Sequence, residues 1–318
     1  MDDEGKFHGM GWLRDYPDFR DFTTETETLT PGQKMTGHKL SIKAAKEKLK
    51  IATPVSTLPP SVDLRPWCSP VEDQGNMNSC TANAAAGIYE YFERYTKGTW
   101  IDVSRRFIWK TTKDLLGWSG NVGAFLRTTM GSIVLFGAPP EKYWPYISDP
   151  SNPHFDDEPS AFPYILGQSF QALSYFRYDP PSVTASNLLA TVKNWLAAKW
   201  PCMFGFTVFG SMAQADIPIN GVKTASIPLP APQGDINTQK GHAVCAVGYN
   251  DLIKIQNRIS GSPQTIGALL IRNSWGTQWG GMGGYLWMPY DYVLAGLTSD
   301  WWTMYNAEWV NTGLFGLP

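Results

Sequence analysis

Apolar positions change their spacing about two thirds of the way along the chain. Thr81–Tyr95 is rich in Ala and places Ala84, Ile88, Tyr91, Phe92 and Tyr95 at helical intervals. A second helix is predicted over Ser104–Leu115 with Ser104 as its N-cap, and a third over Gly123–Phe136, stopped by Gly137. A fourth is predicted at Ser186–Ala198, ahead of Pro201. Beyond Pro201 the apolar runs shorten and turn β-rich. Phe204–Phe209, Ala243–Tyr249, Ala268–Arg272 and Tyr285–Met288 are predicted strands, divided by Gly and Pro. A helical half followed by a strand half points to an α+β protein of two lobes with a cleft between them. No internal repeat interrupts that order.

Two segments stand apart. Residues 1–57 read as an arm before a core that begins near Leu58: Gly11–Phe22 is aromatic and charged, Ser41–Lys50 is one short amphipathic helix, and Thr53–Pro60 carries three prolines. Gly210–Gly241 is a Pro- and Gly-rich connection between two predicted strands, long enough to be either functional or a plain surface insertion.

Composition removes several function classes. The 318 residues are 43% hydrophobic and include 14 Trp, too apolar for a disordered chain and sufficient for two lobes. A net charge of -2 gives no reason to expect nucleic acid or an anionic membrane as partner. No apolar run reaches bilayer length. The start, Met1-Asp2-Asp3-Glu4, has no apolar signal-peptide core. Four cysteines are too few for a disulfide-built scaffold, and with the four His residues they match no zinc spacing, so no metal and no cofactor is expected.

The candidate chemistry centres on Cys80, at the predicted start of a helix. A helix N-terminus carries unpaired N–H groups and partial positive charge, which favours a thiolate. The preceding turn, Gln74–Ser79, can aim polar donors at one point. His242, opening a strand in the other half, is a suitable base, and Asn273, at the end of another strand, could orient it. Taken singly, these three residue types are common, and a buried Cys with a structural His remains the simpler account.

The local words shift that balance. Gln74-Gly75-x-x-x-Ser79-Cys80 resembles the nucleophile segment of papain-like cysteine peptidases. Gly241-His242-Ala243-Val244-Cys245-Ala246-Val247-Gly248-Tyr249 resembles their histidine strand, and Arg272-Asn273-Ser274-Trp275-Gly276 their asparagine segment. Leu58–Arg65 looks like the start of their mature enzyme. The resemblance runs from residue 58 to the C-terminus. It implies a two-lobed papain-like fold, helical on one side (about 75–200) and an antiparallel β-barrel-like lobe on the other (about 201–318), hydrolysing peptides or proteins as a monomer.

The roles it implies are specific. Cys80 attacks the scissile carbonyl. His242 forms a thiolate–imidazolium pair with it and protonates the leaving amine. Asn273 accepts a hydrogen bond from the imidazole, and Trp275 shields that bond. Gln74 and the Cys80 backbone N–H form the oxyanion hole. Gly123, Phe125, Gly205 and Ala243 outline the second substrate pocket, where small Gly205 and Ala243 leave room for an apolar or aromatic side chain. The Gly210–Gly241 connection would rim the primed side.

There are departures. Met77 stands where the family commonly has Cys, and Asn121 where that cysteine's partner would be, so one bridge is missing at both ends. Thr81 replaces the usual Trp. Ser79–Ala84 and Gly11–Asp21 instead resemble a bacterial branch of the family in which an N-terminal stretch lies over the cleft. That implies a zymogen-like chain whose arm, residues 1–57, is an intramolecular inhibitor. Cys202 and Cys245 fall on neighbouring strands and are read as buried unpaired thiols rather than a bridge; Cys68 has no obvious partner. The family works mostly outside the cytosol, so a secreted or extracytoplasmic location is expected despite the missing signal, with a cytoplasmic one left open. A peptide-binding protein on a silent peptidase scaffold and a thiol acyltransferase are the competing functions.

Overall fold

The computed structural model describes residues 8–27, 41–50, 58–169, 174–306 and 312–315. Its helices are α1 (Ile42–Lys48), α2 (Cys80–Lys97), α3 (Arg105–Leu116), α4 (Leu126–Phe136), α5 (Ala161–Gly167), α6 (Ala185–Ala197) and α7 (Tyr290–Leu294). Its strands are β1 (Ser61–Asp63), β2 (Ser174–Arg177), β3 (Cys202–Phe209), β4 (Asn237–Gln256), β5 (Gln264–Arg272), β6 (Tyr285–Pro289) and β7 (Thr298–Tyr305). The seven strands form one antiparallel sheet in the order β2-β7-β3-β4-β5-β6, with β1 added against β4.

Helix α2 is the wall between the lobes. It packs on α3 and α4 on one side and on β4 on the other. That position explains why burial runs all round it, from Cys80 to Glu93, and not along one stripe. Gly98, at φ 75°, ends it in the left-handed conformation. Ser104 caps α3 as its sequence suggested, its hydroxyl accepting from the Phe107 N–H.

A buried polar knot ties α2 to the sheet. Glu90 accepts from the Ser69 hydroxyl and from the Val103 N–H, and the Arg272 guanidinium lies against Gly87. Burial pushes the Glu90 carboxyl up to about 7 against the pull of Arg272. A Cβ on Gly87 would fall 1.9 Å from Arg272 Nη1. Gly87→Ala should therefore destabilise the protein by about 1–3 kcal/mol despite alanine's better helix propensity. A denaturant midpoint unchanged or raised would show that Arg272 yields freely.

Four features differ from the sequence expectation. Helix α4 starts at Leu126, because Gly123–Phe125 are held extended: Ala124 N–H donates to Gly11 O at 2.7 Å and Leu13 N–H donates to Ala124 O at 3.0 Å. The helix expected within the helical lobe at 186–198 is α6, and it packs on β4 and α7 of the sheet side. Strand β4 is 20 residues long and absorbs the end of the Gly210–Gly241 connection. The middle of that connection folds back on β6, with Ile227 N–H to Trp287 O at 2.9 Å and Trp287 N–H to Ala225 O at 2.8 Å. Strands β2 and β7 and helices α5 and α7 had no clear signal, since Trp301-Trp302 and Pro163 break both periodicities.

Cys68, Cys80, Cys202 and Cys245 are all free and buried. Among the described residues no helix is long and apolar enough to cross a membrane, and no group of three or more His, Cys, Asp or Glu is placed to hold a metal.

Candidate active site

Cys80 is the first residue of α2, so its sulfur sits at the positive end of an 18-residue helix. His242 begins the fully buried run of β4, opposite Phe206 of β3. Asn273 follows directly on β5. Helix and sheet meet at this point, which brings together three residues separated by up to 193 positions, the distance in sequence from Cys80 to Asn273.

His242 Nε2 lies 2.7 Å from Asn273 Oδ1. The amide oxygen can only accept, so Nε2 carries the proton and the Nδ1 lone pair remains available as a base. Trp275 stacks on the imidazole at 4.6 Å, and Trp279 meets Trp275 edge-on at 4.7 Å. The His242–Asn273 bond is thus walled in by indole, the place expected for Trp275. Gln74 is held from both ends of its amide: Ser274 Oγ donates to Oε1 at 2.5 Å, and Nε2 donates to Met77 O at 2.7 Å.

The missing bridge has a polar replacement. Asn121 Oδ1 accepts from Asn78 N–H at 2.7 Å, its backbone O accepts from Asn78 Nδ2 at 2.8 Å, and its Nδ2 donates to Asn76 O at 3.1 Å. Three hydrogen bonds pin the Gln74–Ser79 turn where a disulfide would. Tyr146 adds a fourth tie, its hydroxyl 2.5 Å from Ser79 Oγ and donating to Gln74 O at 3.1 Å. Tyr146 and Ser274 were not anticipated. Ser274 lies inside the Asn273 word and was readable there; Tyr146 carries no sequence signal.

The arm runs through this cleft. Gly9 N–H donates to Gly75 O at 2.9 Å, and the Gly9 carbonyl oxygen accepts from Gln74 Nε2 at 2.9 Å. Met10 N–H reaches Asn78 Oδ1 at 3.1 Å. Gly11 N–H points at Cys80 Sγ, 3.2 Å away, and Ala243 N–H points at it from the other side at 3.4 Å. Trp12 N–H donates to Gly241 O at 3.3 Å. His8 stacks on the outer face of Trp275 at 5.0 Å. Farther along, Arg127 binds Asp15 and Asp21, and Arg177 binds Asp21. The other arm segments expected to block the cleft, 1–7, 28–40 and 51–57, lie outside the described residues. Helix α1 belongs to the core instead, burying Ile42, Ala45 and Leu49.

The expected pocket residues divide. A Cβ on Gly205 would sit 1.9 Å from Trp12 Cε2, and one on Gly123 would sit 2.2 Å from Gly11 O. Ala243 pairs across from Gly205. Phe125 turns its ring to Trp118, 5.7 Å away. Two residues not anticipated complete the pocket around Trp12: Gly241, where a Cβ would come within 2.4 Å of the indole, and Asp300, whose Oδ2 accepts from Trp12 Nε1 at 3.1 Å. On the other side of Trp275, the ends of the Gly210–Gly241 connection rim a second hollow of about 100 Å³ lined by Met10, Phe209, Met212, Thr238 and Trp279.

Burial dominates the electrostatics of the site. Burial pushes the Cys80 thiol up to about 11, against the downward pull of the Ala243 and Gly11 amides. Burial likewise lowers His242 to about 4, opposed by its bond to Asn273. His242 Nδ1 has no hydrogen-bond partner. Both shifts run toward the neutral thiol and neutral imidazole and against the thiolate–imidazolium pair that the resemblance implies.

Known proteins share this architecture. A profile described as papain family cysteine protease matches residues 58–301. The crystal structure of xylellain, a cysteine protease from Xylella fastidiosa, is 30% identical, with a TM-score of 0.68, covering 94% of this chain and 97% of that one. An uncharacterized peptidase C1-like protein, L477, of Acanthamoeba polyphaga mimivirus is 30% identical over 309 residues, 95% of this chain and 88% of the viral protein. The cysteine protease and lectin-like domains of Cwp84 from Clostridium difficile share the fold at 19% identity and a TM-score of 0.60, covering 78% of this chain and 52% of theirs. The likeness to xylellain extends beyond the profile match to nearly the whole chain. The chain belongs to the papain family of cysteine proteases.

Proposed function

We propose that the chain hydrolyses peptide bonds by a Cys-His-Asn mechanism and is held inactive by its own residues 8–22. The observation that carries this reading is the convergence on one buried point of Cys80 at a helix N-terminus, His242 hydrogen-bonded to Asn273 at 2.7 Å, and the Gln74 amide donor, with the arm's backbone on top of them.

In the uncovered cleft, water lowers the desolvation cost at Cys80 and His242, and the proton passes from Sγ to Nδ1. The thiolate adds to the scissile carbonyl carbon. The resulting oxyanion takes the donors of Gln74 Nε2 and the Cys80 N–H. Imidazolium Nδ1–H then gives its proton to the leaving amine, and the C–N bond breaks to leave a thioester. Water, deprotonated by His242, hydrolyses the thioester and returns the thiol. Asn273 holds the ring through Nε2 throughout.

The arm resists this chemistry by what it presents. Its carbonyl from Gly9 occupies the Gln74 donor, but Cys80 Sγ faces the N–H of Gly11 rather than a carbonyl carbon. The sulfur therefore receives a donor where attack would need an electrophile.

The test is labelling by an epoxide-type thiol-protease inhibitor, read by mass spectrometry, together with hydrolysis of a peptide library. The full chain should label slowly and only at Cys80; the Trp12→Ala chain should label fast and cleave peptides, and the inhibitor should abolish cleavage. A chain that binds peptides but is never labelled is a silent binding protein. Labelling without hydrolysis, with transfer of the acyl group to an added amine, identifies an acyltransferase.

A further inference from the structure

Within the connection between β3 and β4, residues 216–223 form a tight hairpin. Ile219 N–H donates to Val222 O at 2.8 Å, Val222 N–H donates to Ile219 O at 2.9 Å, and Asn220 and Gly221 turn the chain at φ 49° and 81°. The turn sets Asp216 and Lys223 side by side, where Lys223 Nζ donates to Asp216 Oδ1 at 2.6 Å. Arg258, just beyond β4, fixes the base of the hairpin by donating from Nη2 to Gln214 O at 3.0 Å and to Ile217 O at 2.8 Å.

Both members of that ion pair also hold the loop that follows Asn273. Asp216 Oδ1 accepts the Gly280 N–H at 2.7 Å, and Lys223 Nζ donates to Gln278 O at 3.0 Å. These two bonds take the backbone on either side of Trp279. Gly280 and Gly281 lie at φ 79° and 80°, a left-handed reversal that only glycine makes freely, and a Cβ on Gly281 would fall 2.7 Å from Lys223 Cβ. Trp279 meets Trp275 edge-on, and Trp275 stacks on the His242 imidazole. Contact therefore runs unbroken from Asp216 to the His242–Asn273 bond. Neither grip on this loop involves a residue of the arm. The arm supports the same wall through His8, stacked on Trp275, and that support goes when the arm leaves.

We propose that Asp216, together with Lys223, is a positioning residue for the acid–base histidine: it clips the backbone on both sides of Trp279 and so keeps Trp275 over His242 and water away from the His242–Asn273 bond. Hydrogen bonds to charged groups are the strong ones, and these two side chains are only 18% and 33% exposed. If the indole wall loosens, water reaches Nε2–H and the Asn273 oxygen and competes for both. The loss then falls on the orientation of the ring, and so on its proton transfers rather than on capture of the substrate. The proposal rests on the peptidase reading above and gives the long connection a part in it.

The first measurement needs no substrate. In the full chain carrying isotopically labelled histidine, the Nε2–H proton of His242 is followed by NMR and its exchange with solvent is timed. Asp216→Ala should speed that exchange about tenfold or more, and Asp216→Asn, whose amide oxygen still accepts from Gly280, should restore most of the protection. The second measurement uses the Trp12→Ala chain and a peptide aminocoumarin amide, whose leaving group carries no residue beyond the scissile bond. Adding Asp216→Ala should lower kcat about tenfold and leave KM within about twofold, and Asp216→Asn should recover most of kcat. An exchange rate untouched by Asp216→Ala would overturn the proposal, as would a raised KM at constant kcat. A lower melting temperature with neither readout moved would reduce the pair to a prop for the hairpin and overturn it too. If no chain cleaves any peptide, the peptidase reading fails on its own, and the exchange rates still decide the role of Asp216.

Discussion

Trp12→Ala in the full-length chain should speed alkylation of Cys80 by at least about a hundredfold. The closed cleft shields the thiol completely, so labelling goes through the fraction of molecules whose arm is off. Trp12 is the arm's buried anchor at 7% exposure, with its indole between Gly205 and Gly241 and its N–H on Asp300. Truncating a buried Trp or Phe to Ala costs about 3–5 kcal/mol, and the lower figure already corresponds to more than a hundredfold in the open population. The exposed ties contribute less. The Arg20–Asp18 pair is internal to the arm, and Tyr16 and Phe19 are exposed, so Phe19→Ala should leave the rate unchanged.

The same experiment reads the electrostatic state of the thiol. With the arm on, burial pushes the Cys80 thiol up to about 11 and lowers His242 to about 4, so both shifts favour the neutral forms at pH 7. The ultraviolet absorbance of a thiolate is therefore expected to be absent from the full chain at pH 7 and to appear with Trp12→Ala. A fast, pH-independent labelling rate in both chains would mean that residues 8–22 do not cover the nucleophile in solution.

How much of this was legible in the sequence depends on the range of the signal. Cys80, His242 and Asn273 each sit in a short word whose local structure is fixed within a few residues: a polar turn into a helix, a Gly before a strand, a strand end running into Trp275. Position in a word was enough to single out three residues that the fold brings together, and helix ends such as Ser104 and Gly137 followed from capping alone. Tyr146 and Asp300 are different. Each acts through contacts with residues more than 60 positions away, and neither breaks a local pattern that a reader could notice. Asp300 is the sharper case, since its role depends on a bulge that only the pairing of β3 with β7 produces. Helix α4 failed at its start for a related reason. Gly123–Phe125 have no local objection to joining the helix, but Ala124 is paired with an arm that lies more than 100 residues earlier. The missing disulfide was visible as Met77 and Asn121; that Asn121 replaces it with three hydrogen bonds was not.

In the Trp12→Ala background, Cys80→Ala should lower peptide hydrolysis by at least about 10⁴-fold, to the level of the assay blank, because no other group in the cleft can form the covalent intermediate. His242→Ala should cost nearly as much, and the double substitution little more than either alone. Nucleophile and base act as one unit: without the base the thiol keeps its proton, and without the thiol the base has nothing to activate. Asn273→Ala should fall well short of that loss, since Trp275 still packs on the imidazole at 4.6 Å and holds its plane. Gln74→Ala should reduce kcat by about 10²–10³ with little change in KM, as expected when one oxyanion donor is removed. Gln74 also binds the arm's Gly9 oxygen, so in the otherwise unaltered full chain the same substitution should make Cys80 label faster. Slower turnover together with faster labelling separates a donor that serves both the reaction and its inhibition from a residue whose loss merely damages the fold, which would move neither in this paired way. Additive losses for Cys80→Ala and His242→Ala would instead mean that the two side chains contribute independently, and the Cys-His-Asn mechanism would have to be abandoned.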